Sequence, residues 1–126
     1  MSADKAAGAV LLVAHGSRVP ASNAEIEALA ARLARRLGPD VMVTHAFLEL
    51  ASPAIPDAID ELAGRGARRI VLIPYFLSAG RHVGEDIPAI VADARRRHPA
   101  LEMEITTHFG AVSAVPELLA GMVTGH

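Results

Sequence analysis

The chain of 126 residues contains no cysteine. Disulfides, thiolate metal sites and iron–sulfur clusters built from its own residues are therefore excluded. Tryptophan is also absent, and aromatic residues make up only 3%. The core must then be assembled from Ala, Val, Leu and Ile, and there is little from which to build base-stacking platforms for nucleic acid. A basic surface is lacking as well. The formal charge is −2 and the isoelectric point is near 6.3, which is not the pattern of a nucleic-acid binder. The first apolar run, Ala9 to Ala14, is too short for a signal-peptide core or a membrane span. The expectation is a cytoplasmic protein that engages neither nucleic acid nor membrane.

What the chain does have is apolar bulk. Hydrophobic residues are 52% of the total, enough for a core. The length suits one domain over 1–126, with an ordered core from about 8 to about 124. Neither a linker, a low-complexity stretch nor an internal repeat stands out.

Strand-like and helix-like segments alternate. Ala9 to Ala14 is continuously apolar, as in a parallel strand covered on both faces. His15-Gly16-Ser17 breaks it. From Ala21 to Leu37 the residues Ile26, Leu29, Ala30, Leu33 and Leu37 follow helical spacing, and Gly38-Pro39 stops the helix. Val41 to Leu48 reads as a second strand. Ser52 followed by Pro53 predicts a helix start with a capping hydroxyl, and Ile55, Ala58, Ile59 and Leu62 form its buried stripe. Arg69 to Pro74 is a third strand. Tyr75 to Gly84 has no period and reads as a long functional loop. Ile87, Ile90, Val91 and Ala94 mark a third helix, with Arg95, Arg96 and Arg97 at the end that the helix dipole favours. Leu101 to Thr106 is a fourth strand. Val115, Leu118, Leu119 and Met122 suggest a short last helix. The alternation predicts an α/β fold, a single-domain parallel sheet with helices on both faces, of flavodoxin-like arrangement.

Ligands of such sheets bind beyond the carboxyl ends of the strands. Three segments place chemistry there. His15 ends the first strand, Glu49 follows the second, and His82 lies in the loop after the third. Two imidazoles and a carboxylate make a nitrogen–oxygen donor set for a first-row divalent ion. Each residue also has a plainer reading: His15 bonded to backbone at a strand end, Glu49 solvated, His82 on the surface. The setting Ala14-His15-Gly16-Ser17-Arg18 favours function, because Gly16 permits a tight turn and close approach, and Ser17 and Arg18 add donors. Glu85 and Asp86 read as carboxylates that cap the N-terminus of the following helix rather than as catalytic groups. His108 reads as a strand-end residue, His45 as packed within a strand, His98 as a helix end, and His126 as a chain end.

The segments LLVAHGSR (11–18), FLELASPAIPDAI (47–59), IVLIPYFLSAGRHVGEDIP (70–88) and HFG (108–110) resemble the CbiX/SirB family of sirohydrochlorin chelatases, in order and at compatible spacing. The resemblance covers nearly the whole chain. It implies a chelatase that inserts a divalent metal, cobalt above all and otherwise iron or nickel, into a sirohydrochlorin-type tetrapyrrole for cobalamin or sirohaem synthesis. It implies His15 and His82 as ligands and bases, with Glu49 assisting. The family often carries a further histidine shortly after the second, and Glu85 stands nearest that place here. At this length the chain is similar to short members, which are expected to pair as homodimers. The metal is substrate, and no organic cofactor is implied. Arg18, Ser17 and Arg81 are the expected partners of the substrate's carboxylates, the arginines through their forked donors. Two other readings stand beside this one: a phosphohistidine carrier using His15, and a non-catalytic metal carrier or sensor.

Overall fold

A computed structural model describes residues 8–125. Four strands form one parallel sheet in the order β2-β1-β3-β4: β1 (Gly8–Ala14), β2 (Met42–Phe47), β3 (Arg69–Pro74) and β4 (Glu102–Ile105). The helices between and after them are α1 (Pro20–Leu37), α2 (Ile55–Gly64), α3 (Ile87–Arg97) and α4 (Val115–Thr124). The order follows from the chirality of parallel crossovers. The step from β1 to β2 moves one way across the sheet, whereas the steps to β3 and then β4 move the other way. Right-handed connections therefore put α1 on one face and α2 with α3 on the opposite face.

Side-chain alternation decides what each face buries. The register aligns Ala9, Met42, Ile70 and Met103 in one row, and Leu11, Thr44, Leu72 and Ile105 in the next. These rows meet Ile55, Ala58, Ile59 and Leu62 of α2 and Ile87, Val91 and Ala94 of α3, which together form the main buried core. Branched aliphatics dominate it, and each fully buried one contributes about 1.5–3 kcal/mol. The opposite face is less completely covered. Helix α1 lies over β2 and β1, and Ala30 is the one residue that it buries fully. Pro20 occupies the first turn of α1, where its missing N–H costs nothing.

One expected boundary moves. Helix α2 begins at Ile55 with Ala54 as its cap residue, and no side chain caps it. Ser52 is not the cap, because the segment is drawn back to the strand: Phe47 N–H donates to the Pro53 carbonyl at 2.8 Å, and Phe47 and Ala54 form a parallel bridge. Among the described residues no helix is long and apolar enough to cross a membrane.

Candidate metal centre

Parallel pairing continues past the ends of β1 and β2, and this brings the first two chemical groups together. Leu48 N–H donates to the Ala14 carbonyl at 2.9 Å, and Glu49 N–H donates to the His15 carbonyl at 3.0 Å. The two chains run so close here that Gly16 has no room for a side chain. A methyl group on it would lie 1.8 Å from the Glu49 carbonyl oxygen, and its φ of +98° lies in the region that favours glycine. The close approach expected at Gly16 is thus made by the chain's own second strand. Leu50, the residue after Glu49, also takes a left-handed conformation, with φ of 69°.

The turn after His15 is gripped from α1. Asn23 Oδ1 accepts the Ser17 N–H at 2.9 Å, and Asn23 Nδ2 donates to the Ser17 carbonyl at 2.8 Å. Ser17 Oγ accepts the Val19 N–H at 3.0 Å, which tightens the same turn. Asn23 was not foreseen from the sequence. Its one available signal is an amide-bearing side chain in the first turn of a helix that follows a histidine-bearing turn.

His82 arrives by a different route. The segment His82–Asp86 is not open loop but a single π-helical turn that runs directly into α3. Within that turn His82 and Asp86 lie four residues apart on one side, and His82 Nδ1 meets Asp86 Oδ2 at 2.8 Å. Asp86 makes no capping hydrogen bond to the backbone of α3. The capping role expected of it is replaced by this pairing with the imidazole. Its spacing from His82 is the signal that a loop reading of 75–84 concealed. Glu85 is exposed.

The result is a cluster at one edge of the sheet. His15, Glu49 and His82 each offer a donor atom, and these atoms all lie within 4.8 Å of one another. His15 Nε2 is 2.9 Å from Glu49 Oε2, and the two imidazole rings stand edge to face with centroids 4.9 Å apart. Two bonds of about 2.1 Å to one ion span at most about 4.2 Å, so the widest pair must draw in by about 0.6 Å or less. Glu49 is half exposed and the imidazoles are about two-fifths exposed, so small rotations suffice. The second nitrogen of each ring is already engaged. His15 Nδ1 lies 3.0 Å from the Gly16 carbonyl, and His82 Nδ1 faces Asp86. A carboxylate oxygen only accepts, so the Asp86 contact assigns the hydrogen of His82 to Nδ1 and leaves its Nε2 lone pair for an ion, whereas His15 has an acceptor at each nitrogen and an ion at its Nε2 would come between it and Glu49. Three protein donors leave coordination positions open, as sites that pass an ion onward require and closed structural sites do not.

The other expected residues sit around this cluster or apart from it. Arg18 and Arg81 are exposed and make no ion pair among the described residues. His108 is half-buried and does not join the cluster. Its neighbour Gly110 serves the packing of the loops. The Gly110 N–H donates to the Phe76 carbonyl at 2.9 Å, and a methyl there would lie 1.7 Å from the Leu77 carbonyl oxygen. The loops after β3 and β4 are thereby locked together. His45 packs edge-on against Phe47. His98 joins Asp60 at 2.7 Å, where Arg97 also pairs. The His98 and Arg97 donors hold the Asp60 carboxyl below the usual carboxylate range.

A parallel α/β domain that gathers two imidazoles and a carboxylate at its strand ends is of the metal-handling class. The chain matches the CbiX family model over residues 9–124 and belongs to that family. It is 32% identical over 118 residues to a sirohydrochlorin cobaltochelatase of Methanococcoides burtonii, covering 90% of this chain and 89% of that one. It is 36% identical over 104 residues to the chloroplastic sirohydrochlorin ferrochelatase of Arabidopsis thaliana, covering 82% of this chain but 46% of the plant protein. The structure of the sirohydrochlorin chelatase SirB from Bacillus subtilis subspecies spizizenii, in complex with cobalt, superposes with a TM-score of 0.82 at 27% identity. That match covers 94% of this chain and 50% of SirB. The chain thus spans about half the length of the plant and Bacillus proteins.

Proposed function

We propose that this protein is a sirohydrochlorin chelatase, which inserts Co²⁺ in preference to Fe²⁺ or Ni²⁺ into a sirohydrochlorin-type tetrapyrrole. The observation that carries the reading is the convergence of His15, Glu49 and His82 donor atoms within 4.8 Å at the sheet edge. Relatives named as cobalto- and ferrochelatases support the substrate class. Imidazole and carboxylate donors accept all three ions, so the preference for cobalt rests on the cobaltochelatase relative, which this chain matches over nearly its whole length.

In this reading the ion is substrate. Insertion exchanges one divalent ion for two pyrrole N–H protons, and the protein must hold the ion weakly enough to release it. His15 and His82 hold it through Nε2, and Glu49 supplies the anionic oxygen. As the ion leaves for the macrocycle, the vacated His15 nitrogen and Glu49 oxygen, 2.9 Å apart, are the nearest acceptors for the departing protons. His15 is the principal base and His82 the second. Arg18 and Arg81, exposed beside the two imidazoles in sequence, meet the peripheral carboxylates with the Ser17 hydroxyl. The carboxylate beside His15 Nε2 opposes a phosphohistidine role, because it would repel an incoming phosphoryl group.

The enzyme works in the cytoplasm as a homodimer, with the second copy supplying the other wall of the substrate cleft. The half-length match to SirB supports this. The test is a spectrophotometric insertion assay with sirohydrochlorin and each ion in parallel. Wild-type turnover with Co²⁺ is expected, and His15→Ala should lower it by at least about a hundredfold while the circular dichroism stays unchanged. Near-normal turnover in that variant would remove His15 from the chemistry. Tight Co²⁺ binding with no turnover in the wild type would make the protein a carrier.

A further inference from the structure

Asparagine bonds readily to backbone groups near it in sequence, which is why it favours caps and turns. Asn23 stands in the first turn of α1, yet it does not cap that helix. The cap residue is Val19, and no side chain caps it. The amide of Asn23 reaches back to Ser17 and takes both of its backbone groups, accepting the N–H at 2.9 Å and donating to the carbonyl at 2.8 Å.

The Ser17 N–H shares a peptide plane with the Gly16 carbonyl. Across a trans peptide these two groups point in opposite directions. Holding the N–H toward α1 therefore turns the Gly16 carbonyl the other way, and that carbonyl lies 3.0 Å from His15 Nδ1. The near side of the plane is pinned as well. Glu49 N–H donates to the His15 carbonyl at 3.0 Å, and Gly16 is held at a φ of +98° against the Glu49 backbone.

The direction of this plane bears on where the His15 ring carries its hydrogen. A neutral imidazole has one N–H and one lone pair. Glu49 Oε2 lies 2.9 Å from Nε2, and the Gly16 carbonyl faces Nδ1. A hydrogen drawn to Glu49 occupies the nitrogen that faces the metal centre. A hydrogen drawn to Gly16 leaves Nε2 free. The carboxylate is the stronger acceptor, so the carbonyl competes best when it is already aimed. His82 meets the same need through the carboxylate of Asp86, whereas His15 has only a peptide oxygen at its Nδ1.

We propose that Asn23 is a positioning residue of the metal centre: it aims the Gly16 carbonyl at His15 Nδ1 and so keeps the Nε2 lone pair of His15 ready for an ion. The proposal rests on the metal-binding reading given above and names the residue that selects the tautomer of His15.

Glu49→Ala removes the competing acceptor, so the ring then reports the Gly16 carbonyl alone. Nitrogen-15 shifts of the metal-free protein at about pH 8, above the usual imidazole value of about 6.5, read the tautomer. The expected results are Nδ1–H in Glu49→Ala, a mixture when Asn23→Ala is added, and Nδ1–H again with Asn23→Asp in its place, which keeps Oδ1. Isothermal titration of Co²⁺ into protein with Glu49 intact reads the effect on the ion. Asn23→Ala should weaken binding about tenfold, the lower end of the range for loss of a ligand's hydrogen-bond partner. In a His15→Ala background the same substitution should change nothing, because its effect passes through His15. Circular dichroism checks the fold, and Asn23→Leu, which keeps the volume, replaces the alanine variant if that one unfolds. A His15 tautomer indifferent to Asn23 would overturn the proposal. So would an equal loss of affinity with and without His15, which would make Asn23 a clamp on the turn and nothing more. Wild-type protein that binds no Co²⁺ would overturn the metal centre, while the tautomers would still decide whether Asn23 governs the ring.

Discussion

Asp86 offers the sharpest test of how the centre is organised. Its carboxylate accepts from His82 Nδ1 at 2.8 Å, and that contact assigns Nε2 to the ion. Asp86→Ala removes the acceptor, so the His82 ring loses both its orientation and its preference between tautomers. Loss of such a carboxylate partner costs about 10–100-fold in metal affinity. Here both side chains are about two-fifths exposed, so water replaces part of the lost contact. The expected weakening of Co²⁺ binding is therefore about tenfold, or about 1.4 kcal/mol. Asp86→Asn keeps an acceptor oxygen without the charge, and should weaken binding by only about threefold. Isothermal titration with Co²⁺ reads the affinity. The nitrogen-15 shifts of the His82 ring read the tautomer in the metal-free protein, which a merely structural role would leave unchanged. Both variants should remain folded, because Asp86 contributes no capping hydrogen bond to α3. An unchanged dissociation constant in Asp86→Ala, together with an unchanged His82 tautomer, would refute the reasoning.

Gly16→Ala should destabilise the fold by about 3 kcal/mol or more, because its methyl group meets the Glu49 carbonyl at 1.8 Å in a conformation that alanine resists. Denaturant unfolding checks it, and a change within about 0.5 kcal/mol would show that the strand ends can part without cost. The cluster of Asp60 with Arg97 and His98 predicts a pH dependence that lies away from the centre. Asp60 is held low in the folded state, so its contribution is present above the ordinary aspartate value of about 3.9 and fades as pH falls below it. Asp60→Asn should lower stability slightly at pH 7, and the gap from the parent should close toward about pH 2. A gap of the same size at both ends of that range would rule out the ionic origin.

Much of the architecture was legible in the chain. Continuous apolar runs at 9–14 and 70–74 marked the two strands that lie inside the parallel sheet. The start of α2 was less legible. Ser52-Pro53 carries the local chemistry of a helix cap, but a hydrogen bond from Phe47, in the preceding strand, holds that segment elsewhere. The π-helical turn at 82–86 was hidden for a similar reason. Gly80 and Gly84 suggest open loop, whereas continuity with α3 makes the segment helical.

The sequence by itself determined the strand-and-helix order, and with it the placing of His15, Glu49 and His82 beyond successive strand ends, because hydrophobic period and chain direction are local properties. Tertiary structure alone decided three things: that Asp86 serves His82 and not a helix end, that Gly16 makes room for the Glu49 backbone, and that α4 buries none of its residues against the other described residues. Each depends on the distance between groups that belong to different elements or to adjoining turns. Residue periodicity reports which side of an element is buried, but not what stands opposite it.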